Sequence, residues 1–449
     1  GGNYGQAMTI YTDIQQASAK AGEGVLQRLA LAVALEHAVP VRQTNPSAVK
    51  DTAPATVDPV QRYLHFEKAF LAGELDPAFK TLSVWDYRFV VDGDEPDAIL
   101  AWGREMLRSY RPDHVTTDDY KWRYVAAVRT DVQYGSQYNK YDKPELQDYQ
   151  NRLMNSGVCG RRAFFGRFIL RAFGIPTTAR PQPGHAALVH WTPDGWVANL
   201  GAGWGAGTTK TRYTKDLDFL ATTQARTLGD KFMQVKRAQW IGNVMGETPV
   251  YGFEGKVTPG LWYGVSLYRQ RAMIAESKAV TLAAVGEELG EANESSVEYA
   301  FVSPSVSEAD RKISVDAKGV ITIPASATSN PTKSTGKILF MPSNLGGMQL
   351  HYNRTGAAQD FEYTVDVPKA GAYTLTARVA CPTWGQLLVV TPKGGAPVEI
   401  ALPLTVGLWG QTEPVTIKLA AGKTVLTFSR TGDNIRGLSI KDFTLTPVK

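Results

Sequence analysis

The hydrophobic pattern of this 449-residue chain changes period near residue 300, so its two parts must be built from different elements. Before that point apolar residues recur at helical spacing. Leu26, Leu29, Ala30, Ala32, Val33 and Leu35 form one face, ended by Pro40. Pro59 to Leu71 and Asp97 to Tyr110 repeat the pattern with acidic starts, and Tyr120 to Val132 is a further predicted helix. Residues 215–291 read as mostly helical, with a Gly/Pro-marked break around Tyr251 to Gly264. Later in the chain, Phe361 to Val367 alternates strictly, Pro368-Lys369-Ala370-Gly371 turns, and Tyr373 to Val379 alternates again, the period of half-buried strands. A shorter alternation, Val320 to Ile323, lies within a Ser-, Pro- and Thr-rich stretch.

This pattern predicts a multidomain α+β protein. A helical N-terminal region (1–140) packs on a core with a small antiparallel sheet and following helices (141–295), and an all-β sandwich (296–449) ends the chain. At this length more than one core is expected. The 43% hydrophobic content supports those cores without staples, and only Cys159 and Cys381 are present, which excludes a disulfide framework. A net charge of +5 with no long basic run gives no support for nucleic-acid binding, while an anionic substrate stays open. No apolar stretch is long enough to cross a bilayer. No signal peptide is visible, but Gly1-Gly2-Asn3 is compatible with a processed or engineered end, and a secreted or periplasmic location is expected. His37, His65, His114 and His351 lack ligand-like spacing, so neither a metal nor another cofactor is expected.

The chemistry-bearing segment lies between these regions. Gly157-Val158-Cys159-Gly160 opens a helix-like run, and a cysteine in the first turn sits at the positive end of the helix dipole, which favours thiolate over thiol. His185 follows on a predicted strand, His185 to Trp191, joined by the turn Thr192-Pro193-Asp194-Gly195 to a second strand, Trp196 to Leu200. His185 is placed to take the thiol proton and return it to a leaving group. Alternation turns His190 to the opposite side, where a surface or packing role is expected.

Arg161 and Arg162, within a turn of the thiol, are candidates for holding the thiolate or gripping a substrate carboxylate or sulfate. The plainer reading puts them, with Arg167 and Arg171, on a solvated helix face. Tyr134, Tyr138 and Tyr141 read either as packing or as an aromatic rim before the nucleophile. Trp204, in the glycine-rich Gly201–Gly205 loop, reads as core or as cleft wall.

Gly157-Val158-Cys159, the helix behind it, Gly174-Ile175-Pro176, Gly184-His185-Ala186 and Gly195-Trp196-Val197 occur in the order seen in the transglutaminase-like superfamily, which this segment resembles over roughly Leu146 to Gly205. The resemblance implies a papain-like core with Cys159 as nucleophile and His185 as general base and acid. Family members commonly carry an aspartate four residues after the hairpin tryptophan. Here that position is Leu200, and the nearest suitable side chain is Asn199, which can serve only if a bulge shifts the strand register. The tail resembles carbohydrate-binding modules of families 6 and 35, through Phe361–Leu375 and Gly437–Phe443. That resemblance implies a loop-end sugar site, for which Trp384, Trp409 and Asn434 are the candidates.

Three functions follow as expectations. The first is a cysteine-dependent hydrolase or acyltransferase, acting through a thioester at Cys159 on an amide or ester of a protein, peptide or glycan-associated substrate. The second is a polysaccharide-active enzyme of lyase type, using His185 with a tyrosine and the arginines. The third is a non-catalytic carbohydrate-binding protein.

Overall fold

The computed structural model describes residues 3–44, 54–135, 137–254, 257–286, 304–432 and 434–448. The chain forms two compact units that interleave in sequence. The first comprises residues 1–45, 52–100 and 157–298; the second comprises 101–156 and 299–449, together with 46–51. The sequence boundaries drawn at 140 and 295 therefore differ from the contacts. Residues 101–156 group with the C-terminal sandwich.

In the first unit the helices Tyr4–Ala17, Gly24–His37, Pro59–Leu71 and Val84–Val91 precede the cysteine helix, Cys159–Ala172. The local chemistry fixes their starts. Asp58 accepts from the N–H groups of Val60 and Gln61 with Pro59 in the first turn, and Ser83 and Asp86 form a reciprocal capping box. A three-stranded antiparallel meander follows: β1 (Thr177–Gln182), β2 (His185–Thr192) and β3 (Gly195–Asn199). Gln182 pairs with His185 across the Pro183-Gly184 turn, and Thr192 pairs with Gly195 across Pro193-Asp194. One face of this sheet carries Val189, Trp196 and Ala198, packed with Phe89, Tyr213 and Phe219. The cysteine helix packs against β1 and β2. Helices Asp216–Arg226, Met233–Val244 and Leu261–Ser277 complete the unit, interrupted where the sequence placed its Gly/Pro break.

The second unit is an all-β sandwich with an attached helical segment. Its strands are β4 (Ser314–Val315), β5 (Ile321–Pro324), β6 (Ile338–Pro342), β7 (Met348–Tyr352), β8 (Phe361–Val367) and β9 (Gly371–Ala380). They continue with β10 (Gln386–Pro392), β11 (Val398–Leu402), β12 (Trp409–Gln411), β13 (Val415–Leu419), β14 (Gly422–Ser429) and β15 (Leu438–Pro447). One sheet has the order β11-β10-β14-β8; the other is built around β9 and β15. Alternation works as read: Phe361, Tyr363, Val365 and Val367 are buried, while Thr364 and Asp366 face out. Phe361 and Phe428 of the first sheet stack at 5.4 Å, and Phe428 meets Phe443 of the second at 4.4 Å, so aromatic rings join the two sheets.

The predicted helix Tyr120 to Val132 is reduced to one turn, Ala127–Thr130. Tyr124 has φ 64° and gives its N–H to the His114 carbonyl at 2.7 Å, a left-handed step that a continuous helix excludes. The segment is tied to the sandwich by Trp102 Nε1 to the Val406 carbonyl at 3.0 Å, Gln349 Nε2 to the Ser109 carbonyl at 2.9 Å, and Ser439 Oγ to the Tyr110 carbonyl at 2.6 Å. Buried beside these bonds, Arg111 holds Asp113 at 2.6 Å and Asp131 at 3.1 Å.

Candidate functional site

Cys159 is the first residue of its helix and is partly exposed; the side chain of Val158, at the cap position, accepts no hydrogen bond there. Gly157 precedes it at φ 153°, and a Cβ at that glycine would fall 2.3 Å from Cδ of Arg161. Arg161 thus folds back over the turn that presents the cysteine, so glycine is required by both the backbone and the arginine stem. Neither cysteine is in a disulfide. Cys381 lies buried in the second unit, and that burial raises its thiol pKa.

His185, the first residue of β2, is also partly exposed. Its Nε2 lies 2.5 Å from the carbonyl oxygen of Leu200. A carbonyl only accepts, so in this contact the imidazole Nε2–H is the donor. Leu200 has φ 59°, unusual for a branched residue, and its N–H is held by the Val285 carbonyl at 3.1 Å. Leu200, the position at which the sequence resemblance implied an acidic side chain, offers a main-chain oxygen.

Asn199 departs from expectation. The β2–β3 ladder pairs Leu188 with Asn199 and continues in register to the turn, without the bulge that would turn Asn199 toward His185. Its Oδ1 lies instead 2.5 Å from Nδ1 of His190, and both residues are fully buried. Of a surface and a packing role, His190 therefore has the packing one.

Of the four arginines, Arg161 and Arg167 are partly exposed, but Arg162 and Arg171 are not on a solvated face. Arg162 is 2% exposed, and buried Arg171 pairs with Asp92 at 2.7 Å and Glu95 at 3.2 Å. The loop from Gly201 to Gly207 is pinned. Arg180 donates to the carbonyls of Ala202 and Gly203 at 2.8 and 2.6 Å and pairs with Asp216 at 2.8 Å, while Asp216 accepts from the N–H groups of Gly205 and Gly207. Trp204 packs against the cluster of Val189, Trp196 and Phe219, with the Arg180 guanidinium 5.7 Å from its ring, which makes it part of the core wall. Tyr134 is half-buried in the second unit, and the side chain of Tyr138 lies outside the described residues.

One residue escaped the sequence reading. Gln182 stands directly across the ladder from His185, and its Nε2 is buried with no acceptor. Its Oε1 approaches so closely that a Cβ at Gly201 would meet it at 2.8 Å. The two-residue Pro183-Gly184 turn was the available signal, because such a turn sets its flanking residues opposite one another. A small depression of about 250 Å³ adjoins this end of the sheet, lined by Gln182, Pro183, Thr208 and Lys215 among others. Among the described residues no cluster of His, Cys, Asp and Glu could hold a metal ion, and no helix is long and apolar enough to cross a membrane.

In the sandwich, the three sugar-site candidates fall at one end. Trp384 lies between β9 and β10, Trp409 pairs with Ala380, and the Asn434 carbonyl accepts from Gln386 Nε2 at 3.1 Å. Trp384 is exposed; Tyr141 stands edge-on to it at 6.5 Å, and Lys143 Nζ lies 5.1 Å from its ring. The indole N–H of Trp409 is already given to Asn344 Oδ1 at 2.8 Å.

No known family profile matches the chain, and no curated protein sequence does. The C-terminal part is similar to solved carbohydrate-binding modules. One is the C-terminal family 6 module of LamC, a marine laminarinase from Zobellia galactanivorans (19% identity, 28% of this chain and 98% of that one, TM-score 0.24). Another is the module CBM6cm-2 of Cellvibrio mixtus lichenase 5A, in complex with cellotriose (22% identity, 28% and 97%, TM-score 0.23). A third is a family 35 module from Clostridium thermocellum (14% identity, 29% and 98%, TM-score 0.24). At these scores the likeness is to the sandwich alone and carries no ligand with it.

Proposed function

We propose that the protein is a cysteine-dependent hydrolase or acyltransferase. The observation that carries this reading is the placement of His185: its Nε2 is held by the Leu200 carbonyl, at the start of the strand against which the cysteine helix packs. Sγ of Cys159 attacks the carbonyl carbon of an ester or amide as its proton passes to His185. The developing oxyanion is met by the Cys159 backbone N–H and by the unfilled amide donor of Gln182. Collapse breaks the bond to the alkoxide or amine, which leaves with the proton from His185, and a thioester remains. Water or an amine then attacks the thioester, and the thiol returns.

The test is alkylation by iodoacetamide across pH, with Cys381 silent because it is buried. Cys159 should react with an inflection well below the ordinary thiol value of about 8.5, and His185→Ala should move it back. Hydrolysis of a panel of activated esters should vanish in Cys159→Ala. An ordinary inflection together with hydrolysis that survives Cys159→Ala overturns the proposal and leaves thiol-independent chemistry, such as a lyase, to be sought.

A second reading concerns the sandwich. Exposed Trp384, flanked by Tyr141 and Lys143, is the kind of aromatic surface on which a sugar ring stacks. Titration of the full chain with oligosaccharides, repeated with Trp384→Ala, tests it; equal binding by both proteins rejects it.

A further inference from the structure

A cavity of about 520 Å³ opens in the first unit at the far end of the meander, between the β2–β3 turn, the start of helix Val84–Val91 and the end of helix Asp216–Arg226. Its volume falls within the range of small-molecule sites. It is remote from the cysteine chemistry proposed above. Thr192, on its wall, is seven residues along β2 from His185, about 23 Å at the rise of an extended strand.

The walls combine aromatic surface with the cation Arg226 and the carboxylates of Asp86 and Asp194. Trp85, Trp191 and Trp196 line the cavity, as does Arg226, whose guanidinium carbon lies 3.7 Å from the Trp85 ring centre and 4.7 Å from that of Phe232. Among the described residues, two N–H donors on these walls have no acceptor, Nε1 of Trp85 and Nε of Arg226. The nearby carboxylate of Asp86 does not use them; it is bound by the N–H and hydroxyl of Ser83 as part of the helix cap. Burial lowers the proton affinity of Arg226, and its interactions with Tyr213 and the Asp86 carboxylate offset that only in part.

Buried donors of this kind call for an acceptor, and a cation among them calls for an anion. A carboxylate satisfies both demands, accepting from the planar guanidinium and the indole N–H together. The ring of Trp191 then offers apolar surface to the body of the ligand. We propose that this cavity is a binding site for a small ring-bearing carboxylate, seated with its acid group toward Arg226 and Trp85 and its ring toward Trp191. Sugar acids and aromatic acids share this chemistry.

The experiment titrates the full chain with sodium glucuronate and, separately, sodium benzoate, following tryptophan fluorescence and calorimetric heat, with sodium chloride as the ionic control. A saturable response to one or both acids and none to chloride is expected; glucuronate alone assigns a sugar acid, benzoate alone an aromatic one. Arg226→Gln should weaken the response at least tenfold, and Trp191→Ala, on the opposite wall, should weaken it in a protein that keeps the arginine. Absence of saturation with both acids, or unchanged affinity in variants that melt like the parent, overturns the proposal. Cys159→Ala should bind like the parent, so this result stands or falls separately from the proposed hydrolase.

Discussion

Oδ1 of Asn199 lies 2.5 Å from Nδ1 of His190 on a buried face of the β2–β3 ladder, while His185 turns to the main-chain oxygen of Leu200. The amide that a sequence reading offers to the candidate catalytic histidine is thus committed to a neighbour. Two histidines on one strand have separate supports, one internal and one at the strand's exposed start.

Asn199→Ala should therefore act on stability and not on the thiol. It removes the partner of a fully buried imidazole, a loss of about 1–3 kcal/mol. Urea unfolding should show that drop, while the alkylation rate of Cys159 stays at the parent value. A slowed alkylation in a folded Asn199→Ala protein would mean that the amide serves His185 after all.

Asp216→Ala should be the costlier change. Arg180 and Asp216 are both essentially inaccessible, and deleting one partner strands the other's charge, at about 3–5 kcal/mol. The same carboxylate holds the N–H groups of Gly205 and Gly207, so the loop from Gly201 to Gly207 should become a site of proteolytic cutting. Timed digestion followed by mass spectrometry checks this, and a loop as resistant as in the parent contradicts it.

The chain discloses its elements better than their partners. Strict alternation located β8 at its observed ends, and helical spacing did the same for Pro59–Leu71 and Asp97–Tyr110, because both patterns are local consequences of burying one side. The helix Asp97–Tyr110 shows its apolar stripe in the sequence, but a stripe states that something covers it and not what; Trp102 and Ser109 are bonded to a sandwich more than two hundred residues onward. Arg171 looked solvated for a similar reason, since its acids, Asp92 and Glu95, come from a distant part of the chain. Tyr124 carries no compositional mark of its positive φ. In the candidate site, alternation alone was enough to put Asn199 and His190 together, and the exception sought through a bulge was unnecessary.

Gly437→Ala should loosen the second unit. A Cβ there would fall 1.8 Å from the Tyr110 hydroxyl, which donates to Asp131 Oδ1 at 2.7 Å in a buried setting. The ring must move and the bond must break, so a loss of about 1–3 kcal/mol from overpacking is the minimum expected. Gly437→Ala combined with Tyr110→Phe, which lacks the clashing oxygen, should recover part of the overpacking loss, measured as a double-mutant cycle in urea. Strict additivity of the two changes would show that the contact is not the cause.

Acid should weaken the second unit before it reaches the carboxylate range. His351 is fully buried, with its Nδ1 2.9 Å from Ser439 Oγ and its ring 5.0 Å from that of Tyr110; burial first, and then Arg111, lower its pKa to about 3. Burial and Arg111 lower His114 as well. The unfolded histidines take up protons below about pH 6.5 and the folded ones resist, so the unfolded state holds more protons across that window. Stability is full above about pH 6.5 and declines as pH falls toward 3. Asp113 and Asp131 add a loss of the same sign at lower pH: burial, the largest single influence, raises both, but Arg111, the neighbouring histidines and the hydrogen bonds together outweigh it and hold both below the ordinary carboxylate value. Thermal unfolding between pH 7.5 and 4.5 should show a falling midpoint, with a shallower fall in His351→Gln, which removes the titrating ring but keeps a polar partner for Ser439. A slope identical to the parent's would place the acid sensitivity elsewhere.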